Sequence, residues 1–266
     1  MDRITSTKNP TVRAMRDLKD KRNREETGRI LVEGEVMIRE ALSCGLKIYD
    51  LLADERHEEF AADMEQTGAK ACIVPRSILE AVCETKTPQG VCASFSTPKP
   101  LSLDRMPDVI VALDGVQDPG NVGTIWRTAD AAGFQGILLG EGSADPLSPK
   151  VLRAAMGSGF RIPFGHAAPL SDALRALSER GYTIIASDLG GGDFYSRPAV
   201  GPKLVLVIGN EARGISQSVR ECADLRLKLP MRGGAESLNA AIAAAIMMYD
   251  LINQGGFAPL DPPLKG

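Results

Sequence analysis

Histidine is almost missing from this sequence: His57 and His166 are the two among 266 residues. Chemistry run by an imidazole base, or by a set of imidazole metal ligands, is therefore poorly supplied. His57 sits in the acidic run 54–59, which reads as a solvated helix face, and His166 follows a Pro-Phe-Gly turn. Cysteine is scarce and badly spaced. Cys44, Cys72, Cys83, Cys92 and Cys222 are odd in number and form no Cys-x-x-Cys pair, which argues against a disulfide framework and against a zinc knuckle. The expected state is buried thiols in a reducing cytosol. Long apolar runs are also absent: the longest, 240–249, is about half of the ~20 residues that cross a bilayer. The first residues, Met1-Asp2-Arg3-Ile4-Thr5, hold no hydrophobic signal core. These absences predict a soluble cytoplasmic protein with neither membrane nor metal as partner.

What is present suits a globular chain. Hydrophobic residues are 44% and charged residues 24%, enough for one large domain or two small ones. Net charge is −3, which by itself disfavours nucleic-acid binding, yet its distribution is uneven. Residues 1–30 hold nine Lys/Arg against five Asp/Glu, so this stretch is +4 and the remainder −7. Such a basic arm, with Arg3, Lys8, Arg13, Arg22 and Arg24, meets phosphates through its local field; an exposed charged helix explains it equally well.

Asn9-Pro10 reads as an N-cap with proline in the first turn, opening a charged helix to about Arg24. Strand-like runs follow at 30–32, 48–52, 71–74 and 91–95, alternating with helical stretches at 36–43, 58–66 and 78–82. This predicts a first α/β domain over 1–97. A proline-rich linker spans 98–107, and a second domain covers 108–256, with a loose tail at 257–266. In the second domain, 109–113 and 204–208 are continuous hydrophobic runs, with weaker ones at 136–139, 182–186 and 225–229. Runs without polar alternation fit a parallel sheet covered on both faces. Helices are expected at 122–132, 149–156, 171–180, 215–221 and 238–252.

Ligands of open α/β sheets bind where strands end, so the residues after each strand are the place to look. Three such loops are rich in polar residues and glycine. The first, 113–129, carries Asp-Pro-Gly-Asn running into a helix with Asn121 and Arg127, six positions apart and so on different faces. The second, 208–215, is Ile-Gly-Asn-Glu-Ala-Arg-Gly-Ile, with Gly209 allowing close approach and Glu211 a carboxylate at the sheet edge. The third, 229–240, holds Leu229, Met231, Ser237, Leu238 and Asn239 before a helix that is apolar all round. Each residue also has an ordinary explanation. Asn121 and Ser237 serve as caps, Arg127 as a surface ion pair, Asn239 as a partner for a backbone group.

Taken together and in order, the three loops resemble the motifs of the SpoU, or TrmH-like, family of RNA ribose 2′-O-methyltransferases, of the SPOUT class. N-x-G-x-x-x-R-T-A stands at 121–129, G-N-E-x-x-G at 209–214 and L-P-M…S-L-N at 229–239. Arg153-Ala154-Ala155-Met156-Gly157-Ser158 also resembles the family's segment between the first two motifs, and Ala240 departs from the valine of many members. The resemblance implies a SPOUT-type parallel sheet with a deep C-terminal trefoil knot, preceded by a smaller L30e-like RNA-binding domain. It implies S-adenosylmethionine as methyl donor, held by Gly209, Leu229 and Leu238 with Met231 and Ser237 nearby. Arg127 would stand at the ribose 2′-hydroxyl, sometimes across a homodimer, with Asn121, Glu211, Ser237 and Asn239 holding it, the ribose and the donor in register. A guanidinium scarcely deprotonates in a protein, so stabilising the oxyanion or gripping a neighbouring phosphate is the expected role of Arg127. Large-subunit ribosomal RNA is the expected substrate. Transfer RNA with the same chemistry, and an inactive RNA- or nucleotide-binding relative, stay open as alternatives. A dehydrogenase lacks its dinucleotide fingerprint here.

Overall fold

The alternation of short apolar runs with amphipathic stretches becomes eleven strands and eleven α-helices among residues 1–254, which the computed structural model describes. The first part of the chain forms β1 (Asp2–Arg3), α1 (Pro10–Asp17), α2 (Lys21–Thr27), β2 (Arg29–Glu33), α3 (Glu35–Ser43), β3 (Ile48–Ala53), α4 (Glu58–Gln66), β4 (Lys70–Ile73), α5 (Arg76–Val82) and β5 (Val91–Ser96). Then come β6 (Val109–Asp114), α6 (Pro119–Ala132), β7 (Gly136–Gly140), α7 (Pro149–Ala155), α8 (Ser158–Arg161), β8 (Phe164–Ala167), α9 (Leu170–Glu179), β9 (Thr183–Asp193), β10 (Leu204–Gly209), α10 (Gln217–Cys222), β11 (Leu225–Lys228) and α11 (Ala240–Gln254). The tail expected at 257–266 lies outside the described residues.

The chain divides into two compact units. One comprises Met1–Lys99 and Asp145–Arg161. Its sheet runs β1-β4-β3-β5-β2, with β5 antiparallel to both neighbours and the rest parallel. Asn9 caps α1 as its position suggests, its side chain accepting the Thr11 N–H at 2.9 Å. The single helix expected to Arg24 is broken at 18–20. The Asp20 carboxylate takes the Arg22 N–H at 2.8 Å and starts a new helix, the competition that short polar side chains offer a helical backbone. Residues 145–161, expected within the second domain, belong to this first unit. Here α7 buries Val151, Leu152 and Ala155, and Leu152 joins the core around Ile30, Val32 and Phe95. Arg24 is buried too, donating to the carbonyls of Leu18 and Lys19 at 2.8 and 2.7 Å and to the Asp145 carboxylate. His57 is no solvated face residue: its Nδ1 lies 2.6 Å from Asp54 Oδ1. Three of the five cysteines, Cys72, Cys83 and Cys92, are buried thiols.

The second unit comprises Pro100–Ala144 and the chain from Ile162 onward. Its six-stranded sheet, β11-β9-β10-β6-β7-β8, is parallel throughout. Nearly every position of β6, β7 and β10 is buried, as continuous hydrophobic runs require when helices cover both faces. Trp126 of α6 is fully buried and donates to the Ile162 carbonyl at 3.2 Å, its ring edge-on to Phe164 at 5.6 Å. Strand β8 was not expected, and β9 outruns its expected end at residue 186. A Cβ at Gly191 would stand 2.4 Å from backbone atoms of Arg226, so only glycine lets β9 run on beside β11 through the register shift there. From the adjacent pair β6 and β10 the sheet grows in opposite directions, a topological switch point, and the three motif loops leave the carboxyl ends of β6, β10 and β11. Among the described residues no helix is long and apolar enough to cross a membrane.

Candidate active site

Asp118, not Asn121, caps α6. Its carboxylate accepts the Asn121 backbone N–H at 2.9 Å and Pro119 occupies the first turn. The Asn121 side chain is thereby released for longer contacts. Its Nδ2 donates to Glu211 Oε1 at 2.9 Å, and its Oδ1 accepts from Asn239 Nδ2 at 3.0 Å. Glu211 also accepts the backbone N–H groups of Gln117 and Asp118, each at 3.1 Å. Asn239 Oδ1 in turn accepts the N–H groups of Ala241 and Ile242 at 2.9 and 3.3 Å, and so caps α11. One chain of hydrogen bonds thus ties the ends of three strands together. Burial pushes the Glu211 carboxyl up, but the Asn121 amide and the backbone N–H groups of Glu211, Gln117 and Asp118 outweigh it and hold the group below the usual carboxylate range.

The second loop is closed on itself. Asn210 and Gly214 exchange backbone hydrogen bonds at 3.0 and 2.9 Å, while Asn210 Nδ2 reaches the Gly115 carbonyl at 2.8 Å. A Cβ on Gly209 would lie 2.3 to 2.6 Å from backbone atoms of Gly214 and Ile215, closer than any real side chain comes. Glycine here is a requirement of the closed loop.

A cavity of about 830 Å³ opens between these loops. Gly209, Leu229, Met231, Ser237 and Leu238, the residues expected at the donor, line it. Glu211 and Asn239 are on its wall as well, and Asn121 is joined to both by its hydrogen bonds. Ser237 is no helix cap, since Asn239 fills that role. Sequence reasoning missed Asp188 and Arg220 on the same wall. Asp188 is buried, takes the Arg220 Nε–H at 3.0 Å and accepts the Gly190 N–H at 3.1 Å. The available signal was an acid just past an apolar run at the sheet's carboxyl edge.

Arg127 stands apart. It is exposed on α6, about 9 Å along the helix axis from Asn121, does not line the cavity and has no hydrogen bond or ion pair among the described residues. The expectation that Asn121, Glu211, Ser237 and Asn239 hold it in register is not met within one chain, because six positions turn its side chain to another face. The basic arm is corrected in part. Arg3 donates to Glu55 and Arg22 to Glu26, both at 2.7 Å, and Arg24 is buried and fully engaged, so it is not available to a phosphate. Lys8 and Arg13 are exposed, and their side chains have no partner among the described residues.

Residues 108–249, the stretch that builds this site, match the model of the SpoU rRNA Methylase family. The chain belongs to the SpoU rRNA methylase family. Residues 9–93 match an MRM3-like substrate binding domain. Over 253 residues the chain is 38% identical to the 23S rRNA (guanosine(2553)-2′-O)-methyltransferase RlmP of Bacillus subtilis, covering 94% of this chain and 99% of that protein. An rRNA methyltransferase from Sinorhizobium meliloti, also solved with S-adenosylmethionine bound, superposes with a TM-score of 0.84 at 35% identity, over 95% of this chain and 97% of that one. The SpoU methyltransferase AviRb from Streptomyces viridochromogenes, in complex with the same cofactor, gives 0.82 at 29% identity over 93% and 98%. This SpoU methylase is accordingly an S-adenosylmethionine-dependent methyltransferase. Its cavity fits that donor: the volume suits a nucleoside with an aliphatic arm, and Ile208, Ile215, Leu229 and Leu238 supply apolar wall.

Proposed function

We propose that this protein methylates a ribose 2′-hydroxyl of large-subunit ribosomal RNA in the cytoplasm. The observation that carries the chemistry is the Glu211–Asn121–Asn239 chain of hydrogen bonds, which gathers all three motif loops at the edge of one cavity. The choice of 23S RNA is supported by the relative from Bacillus subtilis, whose name states that target and whose length is matched almost throughout. The donor supplies an electrophilic methyl group on a sulfonium. This chain's residues must align that methyl with the ribose oxygen and manage the hydroxyl proton. Glu211 is a poor proton acceptor, because its carboxyl is held ionised by four donors, so its part is to fix the loops. Asn239 and Ser237 position polar groups at the cavity wall, and Arg127 stabilises the developing oxyanion or grips the adjacent phosphate.

Arg127 is remote from its own chain's cavity, and this supports delivery across a homodimer. An apolar face of α11 supports it as well: Ile242, Ile246 and Tyr249 recur at i, i+4 and i+7 on one face and are 52%, 36% and 48% exposed. A trefoil knot in the chain after β9 belongs to the same reading and is supported by the likeness to solved SpoU methyltransferases. The test is methyl transfer from isotopically labelled S-adenosylmethionine to 23S RNA and to total transfer RNA, with 2′-O-methyl mapping. Methylation at one ribosomal position is expected. Transfer RNA as sole acceptor overturns the substrate, and donor binding without transfer to any RNA overturns the activity.

A further inference from the structure

Free positive charge in the second unit is concentrated in one place. Among its described residues, Arg175, Arg197, Lys203 and Arg220 are ion-paired, and Arg180 is bound to the carbonyls of Leu103 and Asp104. Six cations make no hydrogen bond or ion pair: Arg105, Arg127, Arg213, Arg226, Lys228 and Arg232. Of these, Arg213, Arg226 and Lys228 line the donor cavity, and Arg232 follows Met231, which also lines it. Strand β11 is the outer edge of the sheet. Its Arg226 and Lys228 are exposed and two positions apart, so they project from one face, while Leu227 between them is buried. The acids on the same wall do not neutralise them: Glu211 is spent on the loop network, Asp188 on Arg220, and Glu236 alone is left.

We propose that this rim grips backbone phosphates of the RNA beside the target nucleotide, so that RNA binding is shared by the catalytic unit. The inference rests on the RNA reading above. Four exposed cations exceed what the single carboxylate of the donor can pair, and their spread along a strand and two loops suits a repeating polyanion. An anionic backbone is also the partner that a chain of net charge −3 recruits through a local patch rather than through its overall field.

The experiment uses the full chain, the double variant Arg226→Ala/Lys228→Ala, the triple variant adding Arg213→Ala, and Arg105→Ala as a control for an unpaired cation elsewhere. Donor binding is measured by calorimetry, which also certifies folding, and RNA KM and kcat are measured from 50 to 200 mM salt. The expected result is a KM for RNA raised about ten- to a hundredfold, a larger change than any in donor Kd or in kcat at saturating RNA. The slope of log affinity against log salt should become shallower by about two in the double variant and three in the triple. Arg105→Ala should match the parent. An unchanged KM and salt slope overturns the rim, as does a loss confined to donor Kd, which would assign these cations to the donor's carboxylate. If alanine disturbs folding, Arg226→Gln/Lys228→Gln gives the same reading. A parent that methylates no RNA defeats the functional reading itself; an active parent with indifferent variants defeats only the rim.

Discussion

Asn121 is a short side chain that holds two loops at once, and the loss of either hydrogen bond leaves a polar group of a neighbour without its partner. Asn121→Ala should lower kcat by about ten- to a hundredfold with the protein still folded, as checked by circular dichroism beside turnover. Removing one preorganised charged donor typically costs ~10²–10³ in rate. Arg127→Ala should therefore nearly abolish turnover while donor binding stays measurable by calorimetry, since the residue does not line the donor cavity. Near-normal turnover would remove Arg127 from the chemistry. Glu211 offers a pH signature. Its folded carboxyl lies below the ordinary value, so its stabilising contribution is complete above the ordinary glutamate pKa of about 4.3 and fades as pH falls through the lowered folded value. Thermal melting followed through that acid range should fall more steeply for the parent than for Glu211→Gln, which cannot titrate.

At the scale of elements, the site is three strand ends and the loops that leave them. Gly209→Ala puts a methyl against the backbone of Gly214 and Ile215, where no side chain can swing aside. Overpacking of this kind costs ~1–3 kcal/mol or more. A drop of several degrees in melting temperature and loss of donor binding are expected, read by calorimetry. The elements that were legible beforehand were those with a strong local period: the hydrophobic strands β6 and β10, α4 over Glu58–Gln66, and α1 with its Asn9-Pro10 start. Those that were not owe their existence to neighbours. β8 is four residues that become a strand because β7 offers them a parallel edge, and the extension of β9 exists because β11 runs beside it. Asp188 was overlooked for the same reason, since nothing near it in sequence announces that Arg220, 32 positions on, will pair with it.

At the scale of the molecule, the cavity and Arg127, its proposed guanidinium, stand apart within one chain. If a second copy supplies the missing cation through the apolar face of α11, Ile242→Glu/Ile246→Glu should give monomers by light scattering and a loss of turnover of a hundredfold or more. Mixing subunits that carry Arg127→Ala with subunits that carry Gly209→Ala should then restore part of the activity that each lacks alone. An active monomer would refute the shared site. Residues 145–161 make a parallel point about domain boundaries: linear order assigns them to the second domain, whereas the burial of Val151, Leu152 and Ala155 assigns them to the first unit.

Periodicity, turn chemistry and three spaced motifs were readable from the chain alone, because each depends on residues a few positions apart: a parallel sheet, polar loops at its carboxyl edge, a glycine where a loop must close. Which polar side chains would meet was settled by folding. Asn121 and Asn239 are 118 positions apart and become partners only when α6 and α11 start side by side, and Arg24 ceased to be a surface cation only when Asp145 came to cover it. Local order follows from bonds within a turn or two. Partnership across the molecule follows from the tertiary packing that sets distant chain ends side by side and, for a buried group such as Arg24, from burial, which leaves it one nearby place to satisfy its hydrogen bonds.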